Sequence, residues 1–403
     1  MRFLIAKNLM RLFKELAKVK KAIILAVTTV CLISFSVKFY YKKTDFSNGG
    51  DVLISETKTA QKTEKNSWFA WDGKENETNL EEVKSVKNNE NVKANESKPE
   101  DNNVPNKDLS ICNENGKIMV LMYHKFAEKS NDGWTRSLSD FKKDLQLLYD
   151  NDYYPINMND YVENKIDVPY GKTPVILTFD DGTAGQLSFE WVDDVLTIKN
   201  NTAVKVYQDF VKEHPDFPMK GTFYIMSTNF FGSKGTLKQR LESLVNLGFE
   251  IGNQTQNHYA LQKATSADKV IEEVGGLAKF VDELIPGYKI TSFSIPGGTM
   301  TKKYEEEVYS GEYKGYKYEN KGIVLLYGSK PTLSPIDKNL DLKKISRIRV
   351  SGNEKLDNDL EYWVDYFEQH PEERYISDGD PNIFTINESD KDNVVSSEKI
   401  VMK

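Results

Sequence analysis

The chain has 403 residues, a formal net charge of −7, two cysteines and four histidines. At roughly 100–200 residues per domain, that is one large domain or two ordinary ones with tails. Cys31 and Cys112 alone exclude a disulfide scaffold or a Cys-rich zinc module, and the acidic balance excludes a nucleic-acid binder.

Charge is unevenly spread. Residues 1–43 carry ten Lys/Arg and one Glu, so the rest of the chain is strongly acidic. Residues 1–21 form a basic segment. Residues 22–37 (AIILAVTTVCLISFSV) follow without a charge. The run is short against the ~20 residues of a spanning helix. Flanking lysines can snorkel, and Phe39, Tyr40 and Tyr41 suit an interface, so residues 22–40 are expected to be a transmembrane signal-anchor. The positive-inside rule puts the N-terminus in the cytoplasm and the remainder outside, a single-pass protein of the cell membrane. The alternative is a cleaved, secreted form, with Ser34-Phe35-Ser36 as the cleavage site.

Residues 41–116, rich in Asn, Lys, Glu, Ser and Thr, lack a sustained apolar period and read as a disordered linker. From Lys117 the pattern changes. Ile118–Met122, Pro174–Phe179, Gly221–Met226, Phe249–Gly252, Ile290–Ile295, Gly322–Tyr327 and Ile345–Val350 are strand candidates. Helical spacing predicts helices over Ser139–Asn151 (Ser139 as N-cap), Leu237–Leu247, Lys269–Leu284 and Asp357–His370. Strands alternating with helices across 117–380 predict an α/β barrel or doubly wound sheet. Residues 381–403 read as a polar C-terminal tail.

Three segments follow strands, where the catalytic groups of a barrel gather. They are Thr178-Phe179-Asp180-Asp181-Gly182, Gly252-Asn253-Gln254-Thr255-Gln256-Asn257-His258 and Phe293-Ser294-Ile295-Pro296-Gly297-Gly298. Met122-Tyr123-His124 ends the first strand candidate. Two of the four histidines thus fall on the expected face of Asp180 and Asp181, leaving His214 and His370 as surface residues. Residues 183–220 are either a surface insertion or a substrate-binding lip on which Trp191 stacks against a sugar.

These segments resemble the polysaccharide deacetylases of the NodB-homology type, carbohydrate esterase family 4, in the branch that opens on an MYH strand. The resemblance covers about residues 117–380 and implies a distorted (β/α)7-type barrel that follows the anchor and the linker. It implies hydrolysis of the acetamide of an N-acetylhexosamine polysaccharide, such as peptidoglycan or an exopolysaccharide. It makes Asp180 the general base, His124 the general acid and Asp181 and His258 ligands of a divalent metal, zinc or similar. Pro296 and Gly297 match the family's oxyanion loop. Gln254 stands where the family has its first metal histidine, and Ser294 where many members have the arginine that orients the base. An amide oxygen is a poorer zinc ligand than imidazole. The alternative function is therefore a catalytically impaired relative that binds glycan or an envelope partner.

Overall fold

The structure is a computed structural model that describes residues 107–403 apart from Thr228, Asn229, Lys355 and Glu398. The basic segment 1–21, the expected anchor 22–40 and most of the expected linker lie outside the described residues. Among the described residues, no helix is long and apolar enough to cross a membrane.

Continuous apolar runs suit parallel strands covered on both faces. Eight such strands form one sheet: β1 (Met119–Tyr123), β2 (Tyr153–Ile156), β3 (Thr173–Asp180), β4 (Thr222–Ile225), β5 (Glu250–Asn253), β6 (Ser292–Ser294), β7 (Gly322–Val324) and β8 (Ile348–Arg349). Their order is β7-β6-β5-β4-β3-β1-β8. One edge of β3 holds β1; the other holds β2 along Thr173–Ile176 and β4 along Thr178–Asp180. Val324 bridges to Ile345, while Leu121 and Met122 pair with Ile348 and Arg349. Residues 345–349 thus touch β7 at one end and β1 at the other. The sheet curls as a parallel half-barrel whose edges meet through this segment, in agreement with the α/β class expected.

Alternation along the strands decides which side chains face the barrel interior. Met119, Leu121, Val175, Leu177, Phe179, Phe223 and Ile225 point outward into the larger core. They meet the helices α1 (Leu138–Asp150), α2 (Ala203–Glu213), α3 (Leu237–Asn246), α4 (Ala267–Leu284) and α5 (Leu360–Gln369). Val120, Ile176, Tyr224, Val324 and Ile345 fill the interior. The same alternation turns Thr178 and Asp180 inward at the C-terminal end of β3.

Several boundaries differ from the sequence expectations. The α1 cap is Ser137, not Ser139: Ser137 has extended backbone and its Oγ accepts from the Asp140 amide at 3.0 Å. Strand β2 is absent from the strand candidates read from the sequence; it contains Pro155 and pairs only with β3, an edge position that tolerates proline. The expected linker 41–116 ends earlier. Cys112, Asn113 and Glu114 are buried, and Asn113 bridges to Ile376. The expected tail 381–403 is also tied down: Phe384–Ile386 pairs in parallel with Ile400–Met402, and Ile386 is fully buried. Backbone pairing holds both segments, and apolar periodicity does not reveal it.

Two buried carboxyls give the fold a pH dependence. Burial pushes Glu250 up to about 7, against hydrogen bonds from the Asn159 amide and the Thr222 and Ser292 hydroxyls. Burial likewise pushes Glu114 up to about 8, against bonds from the Thr385 amide and the Tyr375 hydroxyl. Both bind a proton more tightly folded than unfolded. As pH rises from their ordinary value through the folded one, stability therefore falls. Urea midpoints should drop between pH 5 and pH 8, and Glu250→Gln should remove on the order of 1–3 kcal/mol of that drop.

Candidate active site

The site forms at the C-terminal mouth of the sheet. Asp180 is the last residue of β3 and only 1% exposed. Arg347 grips it with two bonds, Nη1 to Oδ1 at 2.7 Å and Nη2 to Oδ2 at 2.9 Å. Arg347 also donates to Thr178 Oγ1 and Ser294 Oγ, and Ser294 donates to Asp180 Oδ2 at 2.9 Å. Burial works to raise the Asp180 pKa. Arg347 outweighs it, with smaller help from His124 and Ser294, and holds the carboxyl below its ordinary value. Asp180 is a buried, ionised carboxylate.

His124 follows β1, and its Nε2 lies 3.9 Å from Asp180 Oδ2. Burial lowers its pKa; Asp180 and Asp181 oppose this, and Arg347 and Arg349 reinforce it. The ring packs edge-on against Trp134, with centroids 4.7 Å apart. Gln186, fully buried on the loop after β3, ties the two strand ends together. Its Nε2 donates to the carbonyls of both His124 and Asp180, and its Oε1 accepts from the Thr183 amide.

Asp181 and Gly182 both take left-handed backbone, with φ of 77° and 60°. Such a φ is costly for Asp181 and marks a constrained turn. Gln254 closes a ring on it: Oε1 accepts from the Asp181 amide at 2.8 Å and Nε2 donates to Asp181 Oδ1 at 3.1 Å. His258 Nε2 lies 3.5 Å from the same oxygen. Asn253 holds this loop by donating to the Val274 carbonyl and accepting from the Thr255 amide.

A divalent ion here would need lone pairs from Asp181, His258 and position 254. Gln254 aims an N–H at the Asp181 carboxylate and commits its oxygen to a backbone amide. Turning the amide over would set oxygen against carboxylate and N–H against N–H. Gln256 lies against Gly276 of α4 and Asn257 bonds to Glu273, so neither supplies a replacement. Among the described residues no three His, Cys, Asp or Glu side chains are placed to hold a metal. The residues present do not fit a tight divalent site.

Pro296 and Gly297 belong to a tight turn one residue past β6, on the same mouth. Gly297 has a φ of 68°, with open space where a Cβ would stand. Trp191 stands apart on the hairpin Phe189–Ile198, paired across it with Leu196 and half exposed. His214 and His370 cap α2 and α5 and pack against aromatic rings there. The structure thus brings together Asp180, His124, Asp181, Gln254 and His258, and leaves Trp191 on a separate, exposed hairpin.

Residues 167–316 match the polysaccharide deacetylase family model. The matched residues include Asp180, Asp181, Gln254, His258, Pro296 and Gly297. The domain is similar to a Streptococcus pyogenes deacetylase, PplD, solved in complex with acetate. Identity is 19%, over 62% of this chain and 97% of that one, with a TM-score of 0.45. It is similar to BC0361, a polysaccharide deacetylase from Bacillus cereus, at 21% identity over 62% and 68%, with a TM-score of 0.45. IcaB from Ammonifex degensii gives 17% identity over 62% and 97%, with a TM-score of 0.43. No curated protein matches significantly.

Arg347 lies outside the residues that match the family model and was not anticipated from sequence; neither was Gln186. The one sequence cue is Ser294, whose missing arginine asks for a guanidinium from elsewhere. Arg347→Met should leave Asp180 as an unpaired buried charge and cost ~3–5 kcal/mol in urea denaturation. The double variant with Asp180→Asn should cost less than the two single changes summed, which a double-mutant cycle measures.

Proposed function

We propose that the domain removes N-acetyl groups from an N-acetylhexosamine polysaccharide of the envelope or outside the cell, such as peptidoglycan or an exopolysaccharide. The observation that carries this reading is the pair at the mouth. Asp180 is held ionised by Arg347, with His124 Nε2 3.9 Å away. In this reading Asp180 accepts a proton from the attacking water, whose oxygen joins the acetamide carbonyl carbon. The carbon–nitrogen bond then breaks, the proton held by Asp180 passes through His124, 3.9 Å away, to the departing amine, and acetate and a free amino sugar leave. The Pro296–Gly298 turn, with its open Gly297, is the surface that the carbonyl oxygen meets. Family relatives use a divalent metal at this point. In this chain Gln254 engages both the amide and the carboxylate of Asp181, so the proton steps rest on Asp180 and His124.

That arrangement favours a second reading, glycan binding without turnover. Acetate release from N-acetylglucosamine oligomers separates the two. Release that falls at least 100-fold in Asp180→Asn supports the hydrolase. Oligomer binding without release supports the binder. For the metal, Gln254→His should raise zinc or cobalt affinity by about 10–100-fold in calorimetry. A wild-type chain that already binds one such ion tightly would refute this account of Gln254.

We place the chain in the cell membrane through residues 22–40, with the domain on the outer side. The uncharged run and the basic segment before it support this placement. Membrane fractionation followed by protease treatment of intact cells should leave the N-terminus protected and the domain cleaved.

A further inference from the structure

Away from the mouth, α5 departs from the other helices of the fold. Its inner side is ordinary, with Leu360, Val364 and Phe367 buried in the larger core. Its outer side carries two rows. Tyr362, Tyr366 and His370 recur every four residues, which puts them one above the other. Neighbouring ring centroids in this row are 6.2 and 4.4 Å apart, with ring planes tilted by 25° and 34°. Tyr362 is 43% exposed, and the Tyr366 hydroxyl donates to Glu373 at 2.8 Å. Beside the rings run Glu361, Asp365 and Glu368, all exposed. From residue 362 to residue 370 the helix rise extends the rows over ~12 Å. The other four helices each pair an acid with a lysine three or four residues away: Asp140 with Lys143, Asp209 with Lys205, Glu242 with Lys238 and Glu283 with Lys279. No such pair can form within α5, which holds no Lys or Arg. Residues 356–373 carry seven Asp/Glu and no Lys or Arg. Like charges at this spacing destabilise a helix, so stability does not account for the acidic row.

We propose that this face of α5 is a docking surface for a cationic amino-sugar strand, the deacetylated glycan that leaves the site. The identity of that strand rests on the deacetylase reading above. Removing an acetyl group turns a neutral acetamide into an amine, which takes up a proton. The product strand therefore differs from the substrate strand by positive charges spaced along it. The row of carboxylates complements those charges. The row of rings takes the apolar C–H faces of the sugars, and an ammonium group over a tyrosine face gains a cation–π attraction. A neutral glycan would use the rings and leave the charges unmatched. A basic peptide would use the charges and needs no aromatic row. The cationic glycan uses both. Because α5 lies on the outer side of the sheet, this surface is separate from the groove in which the acetamide reacts.

The test uses the full-length chain in detergent and calorimetry with three probes: glucosamine tetramer, N-acetylglucosamine tetramer and spermine, a cation without rings. Glucosamine tetramer should bind about tenfold more tightly than either of the others, and added salt should weaken it. The double variants Tyr362→Ala/Tyr366→Ala and Glu361→Gln/Asp365→Asn should each remove most of that preference. The carboxamide pair should also raise the thermal midpoint, because it relieves like-charge repulsion, so a loss of binding there is not a loss of fold. Equal affinity for the two tetramers in the wild-type chain overturns the docking surface. So does a preference that both double variants leave intact, and so does spermine binding as tightly as the glucosamine tetramer. Acetate release is scored separately. If none is released but the α5 variants lose the preference, the docking surface stands and the hydrolase reading falls. If acetate is released and the glucosamine preference is absent, the hydrolase reading stands and the docking surface falls.

Discussion

The structure of the site hangs on one buried ion pair. Asp180 and Arg347 are 1% and 0% exposed, and each charge taken from water costs several kcal/mol. The pair persists because nothing on it is left unsatisfied. Two parallel bonds join guanidinium to carboxylate, and Thr178, Ser294 and the Leu325 carbonyl take further donor bonds from Arg347. The pair is also a feature of the fold. Arg347 sits in residues 345–349, the segment that joins the two edges of the curled sheet. Pulling Arg347 toward β3 therefore draws the edge segment over the strand ends, where His124 and the Pro296–Gly298 turn are presented.

Position 294 shows why this solution excludes the other one. A serine leaves room beside the carboxylate and adds a hydroxyl that both accepts from Arg347 and donates to Asp180. An arginine there would bring a second buried guanidinium into the same space, with one carboxylate to balance two cations. The small residue on β6 and the cation before β8 are thus one arrangement split across the chain.

This split explains what could be read from sequence. The strands were legible because parallel strands covered on both faces are written as plain apolar runs, as in residues 119–123 and 174–179. Asp180 and Asp181 were legible because paired carboxylates before glycine at a strand end have no packing purpose. Arg347 was not. It lies 167 residues from its partner, in a Lys- and Arg-bearing stretch whose local pattern looks like an ordinary solvated strand edge. Gln186 was hidden for a similar reason: a glutamine in a long loop gives no sign that its amide spans two carbonyls. Ser137 and Ser139 are both fit to cap α1, and only the backbone conformation chooses between them.

Gln254 marks a different limit. Its substitution for histidine was visible, but residue type alone did not say what the amide would do. An amide carries a donor and an acceptor on one plane, so it can satisfy the Asp181 N–H and carboxylate together. A neutral imidazole at the same place offers one donor on one nitrogen and one lone pair on the other, spaced differently. The left-handed turn at Asp181 still carries its conformational cost. In a metal site, coordination of the carboxylate would help to hold that turn. Here two hydrogen bonds to Gln254 hold it, so the loop keeps the shape of a ligand-bearing turn without needing an ion to maintain it.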